Sequence, residues 1–154
     1  MSAVQRMRLA SACLFLAAVC GLATGQDTAA PHSRPVMATR LYTGADGQSH
    51  LDQVPIPLSI SADFGGAQSS EPLKMSESFL VRGAPGMFET WHNAGHKRYI
   101  VVISGEAEVK TTGGESARLV PGHIYLAEDL TGKGHTFRVV GDQEWLALFV
   151  NFAQ

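Results

Sequence analysis

Short apolar segments separated by glycine and proline corners extend from Met75 to the end of the chain. Within them apolar and polar residues alternate, as in residues 106–111, where Ala107 and Val109 share one face. A period of two residues is typical of β-strands that bury one side, because successive side chains point to opposite faces. No window shows the 3.6-residue apolar period of a surface helix. The pattern therefore predicts an all-β domain.

The part of the domain before Met75 is less regular. We predict extended segments at 37–42, 49–54 and 56–62. Pro55 and Pro57 place this part at a sheet edge or a crossing, because proline lacks the amide hydrogen that a central strand needs. The later predicted strands span 76–82, 88–92, 99–103, 106–111, 117–120, 124–127, 135–140 and 145–151. So many short strands indicate one antiparallel β-barrel or sandwich domain.

The N-terminal residues 1–25 have the composition of a signal peptide. Arg6 and Arg8 precede an apolar stretch from Leu9 to Val19, and a small Ala-Thr-Gly sequence follows for cleavage. The apolar core is shorter than the ~20 residues of a membrane-spanning helix. We expect export to the periplasm or cell exterior, removal of this leader, and a flexible linker at 26–36. An uncleaved membrane anchor is the alternative.

Composition narrows the chemistry of the mature chain. Both cysteines, Cys13 and Cys20, lie in the predicted leader, so no thiolate is left for catalysis or metal binding. The leader also contains two of the 12 basic residues and none of the 14 acidic ones, which leaves a net charge of −4. The mature chain has no run of lysine and arginine. We therefore expect no nucleic-acid partner and, after cleavage, no membrane span.

The stretch Trp91 to Glu106 combines possible ligands with a buried strand. His92 and His96 precede the apolar run from Tyr99 to Ile103, and a Gly-Glu corner follows it. A second stretch begins at the Pro-Gly corner 121–122, continues through an apolar strand and reaches a further histidine. Polar side chains at the ends of buried strands predict a pocket.

These two stretches resemble the two-part motif of the cupins, in which a histidine-bearing strand ends at a glycine corner and a Pro-Gly corner leads to one more histidine. The resemblance covers roughly residues 75–150. It implies a cupin-like antiparallel β-barrel (a double-stranded β-helix or jelly roll) at residues 37–154. Such barrels are often dimeric, and the pocket in their open mouth commonly holds a metal through histidines and one carboxylate.

The ligand set that this resemblance implies is incomplete. His92 and His135 match histidine positions, but Thr90 stands where the first histidine is expected and Arg98 where the glutamate is expected. A site of His92, His135 and His96 with one carboxylate would suit Zn, Mn or Fe, because it offers nitrogen and oxygen donors. Histidines that line a pocket without a metal, and a solvated surface position for His96, are the alternatives.

The acids Glu89, Glu128 and Asp129 are candidates for that carboxylate. Glu128 and Asp129 end an apolar strand beside the loop that leads to His135. We predict them as catalytic acid/base groups or as counter-charges for Arg98, which would be costly to bury alone. A solvated pair in a turn is the alternative.

Three functions of different classes are compatible with this site. The protein binds a small polar or anionic ligand through Arg98, Tyr99 and Trp91, or it is a metal-dependent isomerase, lyase or dioxygenase. The third is a non-catalytic oligomeric protein that keeps only the fold. We also expect a homodimer built partly from residues 37–62, because exposed edge strands pair unless they are covered.

Overall fold

The computed structural model describes residues 34–153, which form twelve β-strands and one 3-10 helix, Ala62–Phe64. The strands are β1 (Val36–Thr43), β2 (Ser49–Ile56), β3 (Ser59–Ile60), β4 (Gln68–Ser69), β5 (Met75–Gly83), β6 (Phe88–His92), β7 (Arg98–Ser104), β8 (Glu106–Thr111), β9 (Ser116–Leu119), β10 (Ile124–Glu128), β11 (His135–Val140) and β12 (Trp145–Phe152). Within the described range, no helix is long and apolar enough to cross a membrane. The prediction of an all-β domain is confirmed.

Two sheets form the barrel. The larger has six strands in the order β2-β1-β10-β7-β12-β5, and the smaller has four in the order β6-β11-β8-β9. Strands β1 and β10 run parallel, and the other described pairs are antiparallel. Strands β3 and β4 form a separate two-stranded ribbon. This is the predicted jelly-roll architecture.

The inward-facing side chains of both sheets fill the space between them. Leu41 and Val102 from the larger sheet are almost fully buried, as are Val109 and Val139 from the smaller one. All four belong to one apolar cluster. Their positions follow the predicted alternation, because every second residue of a strand points to the same face.

The strand boundaries agree closely with those expected from the alternation, with two exceptions. The two-residue strand β4 is not among the predicted strands, and the segment predicted at 56–62 contains only the end of β2, the two residues of β3 and the start of the 3-10 helix. Pro57 lies between β2 and β3. Because proline has no backbone N–H, it cannot donate a hydrogen bond to a neighbouring strand. Pro55 lies in β2, which is an edge strand of the larger sheet, as expected. The predicted signal peptide and the linker up to residue 33 lie outside the described residues.

The corner at Gly105 carries the chain from the larger sheet to the smaller one. Gly105 has a φ of 71°, and a Cβ atom there would lie 2.3 Å from the carbonyl oxygen of Glu144. Only glycine combines this left-handed conformation with so close an approach. The glycine corner predicted from the sequence is thus required by both the backbone and the packing.

Candidate functional site

A cavity of about 340 Å³ opens between the two sheets. Most of its wall is apolar and includes the rings of Phe79, Phe137 and Phe149. Its polar lining has two parts. Glu89, His92 and Arg98 lie at the exposed outer end, with the buried His135 packed against His92, and Tyr125 and Trp145 lie at the deep end. Of the residues that the sequence predicts at one pocket, His92, Arg98 and His135 line this cavity, and Glu128 and Asp129 do not.

The two histidines lie side by side on neighbouring strands. His135 of β11 is paired with His92 of β6, and their ring centroids are 4.3 Å apart. Gly134 makes this possible: its φ is 79°, and a Cβ atom there would lie 2.2 Å from the backbone oxygen of His92. Because glycine has no Cβ atom, the start of β11 can approach β6 closely enough for the two imidazoles to come into contact.

The fully buried Asp129 contacts the Nδ1 side of the His135 imidazole. Asp129 Oδ2 lies 2.8 Å from Nδ1 of His135 and accepts a hydrogen bond from Ser49 Oγ at 2.7 Å. The Ala94 amide donates to Oδ1 at 3.2 Å. Because the carboxylate acts as the acceptor, Nδ1 of His135 carries a proton. Nε2 is therefore the nitrogen that His135 offers to the cavity.

His92 is oriented in the same way by its own strand. Its Nδ1 lies 2.7 Å from the carbonyl oxygen of Thr90, and its Nε2 lies 3.5 Å from Oε2 of Glu89. The β6–β11 pairing shifts register between His135 and Phe137, which oppose His92 and Glu89. This bulge adds one residue to β6. Glu89 and His92 are three residues apart and would point to opposite faces of a regular strand, but with the bulge both reach the cavity.

Arg98 lies half-buried at the outer end of the cavity. Its guanidinium carbon is 5.3 Å from the centroid of the Phe149 ring, and its Nε–H donates to the backbone oxygen of His96 at 3.3 Å. Burial lowers the pKa of Arg98 below its ordinary value, and the charge of Glu77 partly opposes this effect. Arginine nevertheless stays protonated. Among the described residues, no carboxylate forms an ion pair with it.

Glu128 points away from the cavity. The preceding residue lines the cavity, and neighbouring side chains of a strand point to opposite faces. Glu128 instead pairs with Lys97 at 2.6 Å and with Arg40 at 3.5 Å. This corrects the expectation that Glu128 or Asp129 neutralises Arg98: the first has its partners on the outer face, and the second is engaged by His135.

Three further predicted site residues lie outside the cavity lining. His96 is exposed in the loop before β7, and Trp91 is 53% exposed. Tyr99 packs edge to face against the ring of Phe152, with centroids 5.2 Å apart. Strand alternation explains two of the three, because Trp91 and Tyr99 are the chain neighbours of His92 and Arg98, which point inward.

Tyr125 and Trp145 are cavity residues that the sequence did not single out. They are 2% and 1% exposed, and neither Tyr125 Oη nor Trp145 Nε1 has a hydrogen-bond partner in the described part of the chain. Burial raises the pKa of Tyr125 well above its ordinary value, and the charge of Asp129 acts in the same direction. The hydroxyl therefore stays neutral and able to donate.

The cavity offers two imidazole nitrogens to a metal ion but no complete set of ligands. In residues 34–153 no group of three or more histidine, cysteine, aspartate or glutamate side chains is arranged to hold a metal ion. His96 lies outside the cavity, and the guanidinium of Arg98 would repel a divalent cation beside His92 and His135. The residues present do not fit a resident metal centre.

The two halves of the motif now have defined places in the fold. Strands β6 and β7 with the Gly105 corner bring His92 and Arg98 to the outer end of the cavity, and β10 and β11 bring His135 to the same end. The two-part motif that resembles that of the cupins thus surrounds one end of a cavity in a jelly-roll barrel.

Solved cupin structures are similar to this chain in fold. One is a cupin domain from Bordetella pertussis Tohama I, at 18% identity over 54% of this chain and 91% of that chain, with a TM-score of 0.42. A cupin-superfamily sugar phosphate isomerase from Silicibacter pomeroyi DSS-3 has 20% identity over 78% and 72%, with a TM-score of 0.43. The DMSP lyase DddQ from Ruegeria pomeroyi DSS-3 has 20% identity over 63% and 52%, also at 0.43. No protein-family profile and no curated protein sequence matches the chain.

Proposed function

We propose that the cavity binds a small organic anion, with the charged group at Arg98 and the apolar body between the phenylalanine rings. The observation that carries this proposal is the state of Arg98, a partly desolvated cation with no ion pair in the described residues. Removing a charge from water without a counter-charge is unfavourable, and an anionic ligand supplies that counter-charge. A guanidinium also binds a carboxylate or phosphate through two parallel hydrogen bonds.

The shape of the cavity limits the ligand. A volume of about 340 Å³ is near the lower end of the ~300–1,000 Å³ typical of small-molecule sites. The phenylalanine rings favour an apolar body over a sugar-like one. His92 and His135 line the same cavity, and their Nδ1 atoms are held by Thr90 and Asp129. Each Nε2 can therefore accept a hydrogen bond from the ligand or, when protonated, donate one to its anion.

A series of matched ligands tests this proposal. We expect wild-type protein to bind 5-methylhexanoate at least tenfold more tightly than 5-methylhexanamide in calorimetry, because only the first carries a charge for Arg98. Arg98→Met should abolish the preference. Arg82→Met is the matched control, because Arg82 is exposed and has only a 3.8 Å pair with Glu144. Equal affinity of the wild type for the acid and the amide would refute the proposal.

One observation favours a catalytic version of the same site. Ser49, Asp129 and His135 form a buried hydrogen-bonded chain that ends at the cavity. A carboxylate behind an imidazole fixes its tautomer and stabilises the imidazolium form. His135 can therefore take a proton at Nε2 from a bound ligand. The second candidate function is a proton-transfer enzyme of the isomerase or lyase class.

Proton exchange distinguishes this second function from binding alone. A catalytic site should exchange the α-protons of a bound carboxylic acid or keto acid with deuterium oxide, followed by NMR. His135→Gln should abolish the exchange while carboxylate binding at Arg98 is retained. If the wild type binds the ligands without catalysing exchange, the site is a binding module.

Export and a homodimer through residues 37–62 stay predictions. The divalent metal is an untested prediction for which the described side chains supply no complete ligand set. N-terminal sequencing of exported protein tests cleavage near residue 26, and light scattering of the mature chain tests the dimer. Elemental analysis of protein purified without a histidine tag tests for Zn, Mn or Fe.

A further inference from the structure

The outer end of the cavity carries an acidic side chain as well as a basic one. Glu89 belongs to β6 of the smaller sheet and Arg98 to β7 of the larger one, and both line the cavity. Packed sheets lie about 10 Å apart, so side chains from the two walls face each other across the ligand space. Within residues 34–153 these two form no ion pair with each other. Opposite charges therefore stand apart on the two walls.

The carboxylate of Glu89 is accessible at the histidine side of the cavity. Its side chain is 50% exposed, and its Oε2 lies 3.5 Å from Nε2 of His92. The other ring nitrogen of His92, Nδ1, is held by the carbonyl oxygen of Thr90. An imidazole is charged only when it is protonated, so this contact gives Glu89 no permanent counter-charge. The carboxylate can therefore accept a cationic group of a ligand.

The bulge in β6 directs Glu89 into the cavity. His135 opposes His92, and Phe137, two residues later, opposes Glu89 instead of Thr90, which regular pairing would place there. Phe137 lines the cavity, and directly opposed residues of an antiparallel pair point to the same face. Bulges interrupt the hydrogen bonding of a strand pair and occur where a side chain is re-aimed beside a site. This bulge exchanges a neutral side chain for an acid on the cavity wall.

The other acids near the cavity are engaged by the protein. Glu77 acts on Arg98 through its charge, but it accepts a hydrogen bond from Nδ2 of Asn151 at 2.8 Å and does not line the cavity. Asp129 is fully buried and hydrogen-bonded to His135. Among the described residues, Glu89 is therefore the acid that a ligand in the cavity can reach.

We infer that Glu89 is an ammonium subsite and that the ligand of the cavity is an α-amino acid with an apolar side chain. This inference rests on the proposed function, in which Arg98 binds the carboxylate. Glu89 and Arg98 lie at the same end of the cavity, so the ligand carries its two charges on neighbouring carbon atoms. Its apolar side chain then extends between the rings of Phe137 and Phe149. A second carboxylate in place of the ammonium would be repelled by Glu89.

Four compounds separate the two subsites. 2-Amino-5-methylhexanoate and 5-methylhexanoate share the carboxylate and differ in the ammonium group, and their amides repeat that comparison without the carboxylate. In calorimetry near neutral pH, the wild type should bind the amino acid about fivefold more tightly than 5-methylhexanoate, the effect of one half-exposed ion pair. Isopentylmalonate, which has a carboxylate in place of the ammonium, should bind more weakly than either. The protein is first treated with EDTA, so that chelation of a metal by the amino acid cannot contribute.

The variant Glu89→Gln removes the charge and keeps the size of the side chain. It should abolish the preference for the amino acid and retain the preference for acids over amides, which depends on Arg98. Glu106→Gln is the matched control and should retain both preferences, because Glu106 belongs to the same sheet, is 55% exposed and pairs with Arg118 outside the cavity lining. Glu89→Lys should reverse the order of the ligands, so that isopentylmalonate binds more tightly than the amino acid.

Each result decides one of the two proposals. If acids outbind amides but the amino acid and 5-methylhexanoate bind equally, the ammonium subsite is refuted and the anion site stands. If amino compounds outbind their counterparts among acids and amides alike, but acids and amides bind equally, the ammonium subsite stands and the anion site is refuted. A preference for the amino acid that survives in Glu89→Gln, or tighter binding of isopentylmalonate than of the amino acid by the wild type, also refutes the subsite.

Discussion

Lys97 and Arg98 are adjacent cations with opposite surroundings. Lys97 lies on the outer face of the larger sheet, where Glu128 pairs with it at 2.6 Å. Arg98 points into the cavity and has a phenylalanine ring and a backbone oxygen as neighbours. The acids show the same division: Glu128 faces outward, and Asp129 is buried behind His135. At both places, one position along the chain separates a side chain paired on the outer face from a side chain that is buried or lines the cavity.

Charged side chains on the two faces of the larger sheet have different surroundings. On the outer face, solvent screens the charges and an ion pair contributes little free energy. In the cavity, each charge must be matched by hydrogen bonds or by a ligand. Asp129 is matched by three protein donors, whereas Arg98 forms no ion pair among the described residues and is opposed only by the more distant charge of Glu77. The protein therefore fixes the buried acid structurally and leaves the cation available.

The largest contrast should appear when the two adjacent acids are removed. Asp129→Ala leaves the buried donors of Ser49 and His135 unpaired and should lower the free energy of unfolding by about 3–5 kcal/mol. Glu128→Ala breaks a half-exposed ion pair and should cost about 1 kcal/mol or less. Urea denaturation of both variants measures the difference. Equal losses would contradict the distinction between the two faces.

Charge reversal at Arg98 should change the metal chemistry of the cavity. Arg98→Glu places a carboxylate beside His92 and His135 and removes the repelling guanidinium. We expect affinity for Zn²⁺ or Mn²⁺ to rise at least tenfold, about 1.4 kcal/mol, in calorimetry. Lys97→Glu is the control and should leave affinity unchanged, because its side chain is on the outer face. A rise in both variants would indicate a nonspecific charge effect.

Neutral substitutions of the two cations should change stability in opposite directions. Arg98→Met removes a partly desolvated charge without an ion pair and should raise the free energy of unfolding by about 0.5 kcal/mol, a small effect because the group stays partly hydrated. Lys97→Met removes the partner of Glu128 and should lower it by a similar amount. Thermal and urea unfolding can both resolve the sign. A decrease in both variants would show that Arg98 has a stabilising partner.

The smallest effect concerns a surface cluster, in which His50 contacts Glu115 at 2.8 Å and Asp46 at 3.1 Å. Hydrogen bonds to these acids raise the pKa of His50 above its ordinary 6.5, and the pKa values of Glu115 and Asp46 are lowered. Stability from His50 is therefore complete below pH 6.5 and disappears as the pH rises through the raised pKa. Stability from the acids is lost at the other end, as the pH falls through their lowered pKa values.

The measurement is the melting temperature of wild type and His50→Gln across pH. The wild type should exceed the variant most between about pH 5 and pH 6.5, and the gap should close toward pH 9. A gap that is constant across this range would mean that His50 contributes through packing and not through its charge.

Several parts of the site could be expected from the chain itself. Trp91 to Glu106 carries two histidines, an apolar strand and a glycine corner in one stretch, so local spacing is sufficient to place His92 near the entrance of a barrel. The structure adds that Arg98 points inward with Ile100 and Val102. Both faces of that strand are apolar in sequence, so alternation could not choose between them.

The roles of the acids could not be expected in the same way. Glu128 and Asp129 are consecutive, and their partners Lys97, Ser49 and His135 come from separate parts of the chain. Glu89 reaches the cavity only through a bulge in β6, which no local signal marks. The prediction pairs Glu128 with Arg98 because their charges are opposite, but the two side chains lie on opposite faces of the sheet.

The sequence by itself determined the strands, the corners and the type of barrel, because alternation and glycine geometry act over a few residues. Only the tertiary structure decided which charges are satisfied. Pairing of β7 with β10 and β12, and of β6 with β11, brings groups tens of residues apart into contact. Hydrogen bonding and desolvation depend on that arrangement. Within residues 34–153, the absence of an ion pair at Arg98 and of hydrogen-bond partners for Tyr125 Oη and Trp145 Nε1 is therefore a property of the folded barrel and not of any segment.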